Sequence, residues 1–139
     1  MKLTLRENKE DLDFLPGQEL NQQPLKTDML IIEKQPGVEI KKTIGHIFRT
    51  HNILEYKGVG DKLNIDTFHK LIAYTTLYKA QGEHVNAIPG TEITASLYRN
   101  EYPEKLFQDI QDLGANIEER YPGIYYVTGL VYFPVQIVS

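Results

Sequence analysis

Asp28, Glu55 and Lys57 are the side chains whose types and spacing could act together chemically. Glu55 and Lys57 close the run His51-Asn52-Ile53-Leu54-Glu55-Tyr56-Lys57, which Gly58 stops. Asp28 heads the apolar run Met29-Leu30-Ile31-Ile32. Read as a strand, the first run has a period of two, with Glu55 and Lys57 on one face and Leu54 and Tyr56 on the other. Charges at the end of an otherwise buried strand are costly unless they pair or hold a metal. One reading is therefore an ion pair at a strand end. The other follows if the two strands are neighbours, because Asp28 and Glu55 then meet at one end of a sheet. Two carboxylates and the carbonyl of Tyr56 make an all-oxygen donor set, which suits Mg²⁺ or Mn²⁺. Such a cation lowers the pKa of a bound water and stabilises a phosphorane-like transition state. Lys57 would orient the attacking water or neutralise developing charge.

The elements that must position these residues are legible in the pattern. Leu12 to Leu15 alternates and meets the turn signal Pro16-Gly17. Thr27 to Lys34 reads as a strand buried on both faces and ended by Gln35-Pro36-Gly37. Val38 to Thr50 is mixed, with a strand and a short helical turn expected. The Glu-x-Lys strand follows. Next comes the strongest helix, with Ile65, Phe68, Leu71-Ile72, Thr75 and Leu77-Tyr78 at helical spacing, Asn64 or Asp66 as cap, and Gly82 beyond its end. Thr91 to Tyr98 alternates as a strand. Glu104 to Leu113 is a second helix, opened by Pro103 and stopped by Gly114. Ile124 to Val127 and Val131 to Val138 form a final hairpin, and Pro134 argues that the last strand lies at an edge or carries a bulge. The expected fold class is α/β, a mixed sheet flanked by helices with a C-terminal hairpin, in one domain over residues 1–139.

Composition narrows the function classes. Apolar residues make up 41% of the 139, enough for a real core, and cysteine is absent, which removes disulfides and thiolate metal sites. The net charge of −4 argues against a protein that coats nucleic acid through bulk positive charge. The first residues lack a signal peptide's apolar run, and no apolar run approaches a membrane span, so a cytoplasmic protein is expected. There is no Gly-x-Ser-x-Gly elbow. Gly58-Val59-Gly60 runs into Asp61 without a Gly-Lys-Ser/Thr sequence. His46 and His51 have no zinc spacing. Lys41, Lys42, Arg49 and His51 lie in the most basic segment. That segment is either a solvated face or a patch that meets an anion beside the Glu-x-Lys strand.

The pattern Asp28…Glu55-Tyr56-Lys57 followed by a long helix resembles the PD-(D/E)XK nuclease superfamily. Within it, the chain is most similar to a group of small bacterial proteins related in pattern to transposase-associated nucleases. The residues that carry this likeness are Pro24 to Asp28, His51 to Lys57, Asp61 to Asp66, Lys70 to Lys79, Tyr121 to Tyr125 and Val135 to Ile137. The resemblance implies a restriction-endonuclease-like core and a metal-dependent phosphodiesterase acting on DNA. Asp28 and Glu55 would be metal ligands, Lys57 the catalytic lysine, and Lys41, Lys42, Arg49 and His51 the DNA contacts. Two features depart from the family pattern. Thr27 stands where the superfamily has Pro, and the upstream helix with its further Glu is missing. Glu19 is the nearest carboxylate that could replace it, ahead of Glu7 and Glu10, and Lys70 is a second accessory candidate. The alternative is a catalytically inactive binding protein on the same fold, dimeric through an exposed hairpin edge.

Overall fold

The computed structural model describes residues 12–16, 29–35, 37–58, 60–61 and 63–139. Asp28, Glu19, Glu7 and Glu10 lie outside the described residues. The elements are β1 (Leu12–Pro16), β2 (Met29–Lys34), β3 (His51–Lys57), α1 (Ile65–Lys79), β4 (Ile93–Arg99), α2 (Glu104–Asp112), β5 (Asn116–Tyr121), β6 (Ile124–Thr128) and β7 (Val135–Val138). Short 3₁₀ turns at Thr43–Gly45 and Gly90–Glu92 precede β3 and β4.

The seven strands form one mixed sheet in the order β1-β2-β3-β4-β7-β6-β5. The first three strands are an antiparallel meander. Helix α1 then carries the chain to β4, which runs parallel to β3. Strand β7 is parallel to β4, and β6 and β5 complete the sheet in antiparallel fashion.

Alternation along the strands divides the core in two. Met29, Ile31, Ile53, Ala95, Leu97, Val135 and Ile137 face both helices, where Phe68, Leu71 and Tyr74 of α1 and Leu106, Phe107 and Ile110 of α2 meet them. Phe68 and Tyr74 have no exposed surface. Burying an aromatic side chain of that size contributes roughly 1.5–3 kcal/mol, so this layer dominates the packing energy. Ile32, Leu54 and Ile124 face the other way, onto Ile40, Ile44 and Phe48. Strand β2 is thus buried on both faces, as its continuous apolar run predicts.

The mixed sheet is flanked by helices as expected, both of them on one face, and the irregular segment 38–48 covers the other. Several other expectations change. No strand forms at Val38 to Ile40, which runs directly into the 3₁₀ turn. The last strand is not an edge. Strand β7 sits between β4 and β6, and Pro134 precedes it, its carbonyl accepting a hydrogen bond from Ala95 N at 3.0 Å. Proline lacks only the donor, so a position just outside the strand costs the ladder nothing. Strand β5 was not foreseen, and the C-terminal unit is a three-stranded meander rather than a hairpin alone.

Helix α1 starts where Asn64 caps it. The Asn64 side chain accepts from Thr67 N, and Thr67 Oγ1 accepts from Asn64 N, each at 2.9 Å. This reciprocal pair satisfies two N–H groups that the first turn leaves without helical partners. Its position fixes where α1 begins.

Candidate functional site

Glu55 and Lys57 share the helix-side face at the C-terminal end of β3. Lys57 Nζ is 3.6 Å from Glu55 Oε1, and the Glu55 side chain is 9% exposed against 22% for Lys57. The carboxylate is sheltered while the ammonium reaches solvent beside it. Such a pair gains Coulomb energy but loses hydration, so its net stabilisation is small. Met29, the residue after Asp28, is the register partner of Glu55. Among the described residues, pairing with β2 stops at Glu55, whereas pairing with β4 runs on to Lys57 and Arg99.

Sequence reasoning missed Arg99, which is the register partner of Lys57. Partners in neighbouring strands present side chains to the same face, so a second cation stands next to Lys57. Arg99 Nη2 lies 3.7 Å from Glu101 Oε2. The alternating pattern of Thr91 to Tyr98 stops one residue short of Arg99, and only the parallel register brings Arg99 to Lys57.

The backbone beyond this end is tightly turned. Gly58 N donates to Asp61 Oδ2 at 2.8 Å, and Gly60 adopts φ +88°. A left-handed residue is accommodated there by glycine at little cost. Tyr56 points to the opposite face, where its ring packs on Tyr98 and its hydroxyl accepts from Asn100 Nδ2 at 3.2 Å. Its ring leaves the Glu55 side, so only the backbone carbonyl remains as a donor from Tyr56. Lys70 lies exposed on α1.

The basic residues do not gather at this end. Lys41, Lys42 and Arg49 are exposed on the segment that packs over the opposite face of the sheet. His51 begins β3, roughly 20 Å from Lys57 by strand rise. It is half-buried against α1, with its Nδ1 3.4 Å from the Tyr78 hydroxyl and 4.0 Å from Glu33 Oε1. Burial holds the His51 pKa below 6.5, partly opposed by Glu33 and Glu92. Burial likewise raises that of Tyr78, with Glu33 adding to the effect.

A buried polar stripe on the far face also escaped the sequence reading. Asn52 Nδ2 donates to Ile32 O at 3.0 Å and to Arg49 O at 2.6 Å, while its Oδ1 accepts from Arg49 N at 2.8 Å and Thr94 Oγ1 at 2.6 Å. Gln136 Nε2 donates to Ile44 O at 2.7 Å and Ser96 Oγ at 2.9 Å. These side chains supply the hydrogen bonds that an irregular segment over a sheet cannot make for itself.

Among the described residues no group of three or more His, Asp or Glu side chains is placed to hold a metal. They contribute one carboxylate, Glu55, and the Tyr56 carbonyl. Asp28, the other expected ligand, lies outside them. No helix among the described residues is long and apolar enough to cross a membrane. The chain matches no known family, curated protein or solved structure in the comparisons made.

Proposed function

We propose that this chain is a Mg²⁺-dependent DNA endonuclease of the PD-(D/E)XK type, acting in the cytoplasm. The observation that carries the reading is the sheltered Glu55 carboxylate with Lys57 Nζ 3.6 Å away on the same strand face, opposite the residue that follows Asp28. An antiparallel meander followed by a helical crossover to a parallel strand is the framework such a site needs, since it brings the ends of β2 and β3 together. Asp28, Glu55 and the Tyr56 carbonyl would hold the cation, an oxygen set of the kind hard divalent ions take. When bound, the cation supplies an acidified water and charge neutralisation at phosphorus. Lys57 positions the attacking water, and Arg99 beside it adds positive charge where the phosphate gains negative charge.

A non-catalytic binding protein on the same fold is the second reading. What favours it is the placement of Lys41, Lys42 and Arg49 on the opposite sheet face from Glu55. Its expected dimer through an exposed edge of the final hairpin has less support, because β5 covers that edge and carries Glu118, Glu119 and Arg120 exposed to solvent. Charged edges resist strand addition. Titration calorimetry with Mn²⁺ separates the two readings. The nuclease reading requires saturable binding by wild type that is lost in both Asp28→Asn and Glu55→Gln, with the fold retained. Absence of binding by folded wild type would remove the metal site and leave the second reading.

A further inference from the structure

A cleft of about 460 Å³ opens on the sheet face away from the helices. Its walls are His46 to Arg49 on one side, Arg120 and Tyr121 at the end of β5 on the other, with Tyr126 and the start of β7 below. Val135 lies in the row of Ala95 and Ile53, while Tyr121, through Ile124 and Val138, lies in the row of Tyr98 and Tyr56, so the cleft runs along the strands rather than at one end of the sheet. Glu55 and Lys57 occupy the other face of the sheet.

The lining brings together two guanidinium groups, an imidazole and two phenols, and includes no carboxylate. Arg49 is fixed by a 2.8 Å bond from Nη1 to Thr91 O, which uses one of its five N–H donors. Arg120 Nη1 is 3.7 Å from Glu118 Oε1, and both side chains are more than half exposed. A pair so exposed is weak and yields readily to a better anion. His46 Nδ1 and the Tyr121 hydroxyl are 3.0 Å apart, with their rings edge to face, so one wall is tied to the other across 75 residues of chain. The remaining side chains are aliphatic or aromatic apart from Thr128.

We propose that this cleft binds a nucleoside 5′-phosphate. Guanidiniums such as Arg49 and Arg120, one on each wall, match phosphate oxygens with charge-assisted, bidentate hydrogen bonds. Aromatic side chains accept a base by stacking, without regard to its identity. The volume lies within the range of sites for small ligands, about 300–1,000 Å³. The same group is available from a free mononucleotide or from the phosphorylated 5′ end of a single strand. The proposal stands independently of the metal site.

The test is titration calorimetry of the whole chain with adenosine 5′-monophosphate, adenosine, and a short single strand carrying either a 5′-phosphate or a 5′-hydroxyl. Saturable binding of the monophosphate is expected, at least about tenfold tighter than adenosine. Arg120→Gln, a change at an exposed side chain that should leave the fold intact, should weaken it about tenfold, and Glu55→Gln should leave it unchanged. A phosphorylated strand that binds much more tightly than both the mononucleotide and its 5′-hydroxyl counterpart identifies a strand end as the source. Equal affinity for the strand and the mononucleotide identifies the free nucleotide. No saturable binding of either phosphate-bearing probe, or binding indifferent to Arg120→Gln, overturns the proposal.

Discussion

Replacing Asn52 by alanine should cost about 4 kcal/mol of stability. The residue has no exposed surface, and its amide joins β2, β4 and the segment before β3. Of its four hydrogen bonds, those with Arg49 N and Arg49 O are only part-buried, so water can replace them. The bonds with Ile32 O and Thr94 Oγ1 are buried, so those groups are left without partners. Two orphaned buried groups cost about 1–3 kcal/mol each, and the two rehydrated bonds lose a few tenths more. For a chain of 139 residues that predicts a fall in Tm of roughly 10–15 °C, a large part of a typical 5–15 kcal/mol of total stability. Thr94→Val should cost only about 1 kcal/mol, because Asn52 Oδ1 keeps its bond from Arg49 N. The double variant should be less destabilised than the sum by about 1–2 kcal/mol, since the orphaned hydroxyl is gone. Urea unfolding followed by circular dichroism measures all three. A cost for Asn52→Ala below about 1 kcal/mol, or strict additivity in the double variant, would refute the assignment of Asn52 as the clasp of this face.

Other outcomes follow from single residues. Asn64→Ala should destabilise the fold by about 1 kcal/mol in the same assay, through loss of the paired cap with Thr67. His51 should make stability pH-dependent in a defined direction. Burial lowers its pKa in the fold from 6.5, so the neutral form is preferred there. Its contribution is fully present above about pH 6.5 and is lost as pH falls from there through the lower folded value. The charged and titratable groups facing it are Glu33, Glu92 and Tyr78. His51→Gln should therefore flatten the stability profile on the acidic side of neutrality, measured as Tm against pH, and an unchanged slope would exclude His51 as its source.

The parts of the fold that the sequence announced are those with strong local signals. Helix α1 has apolar spacing and two cap candidates, Asn64 and Asp66, of which the structure selects Asn64, with the helix starting at Ile65. Strand β2 reads as buried on both faces because Met29 to Ile32 is apolar throughout. Strand β5 was invisible because Asn116 to Tyr121 is a polar outer strand whose identity depends on pairing with β6, not on its own pattern. Pro134 misled because its effect depends on one residue of register, and it falls just before β7. The cover on the second face was missed for a related reason. Asn52, Thr94, Ser96 and Gln136 look like polar interruptions of strands until the sheet aligns them. Within the site, alternation alone placed Glu55 and Lys57 together. The distance from them to His51 follows from the strand, but the position of Lys41, Lys42 and Arg49 needed the path of segment 38–48. Arg99 needed the parallel pairing of β3 with β4.

Nicking of supercoiled plasmid in Mg²⁺ or Mn²⁺ is the decisive assay for the proposed metal-dependent phosphodiester hydrolysis at the end of β3. Wild type should convert supercoiled to open-circular DNA, and chelation should stop it. Lys57→Ala should reduce the rate about 100-fold or more, and Asp28→Ala should abolish it, with both variants folded by circular dichroism. Nicking that survives Lys57→Ala and Asp28→Ala at wild-type rates, or no nicking by folded wild type with either cation, would contradict the account.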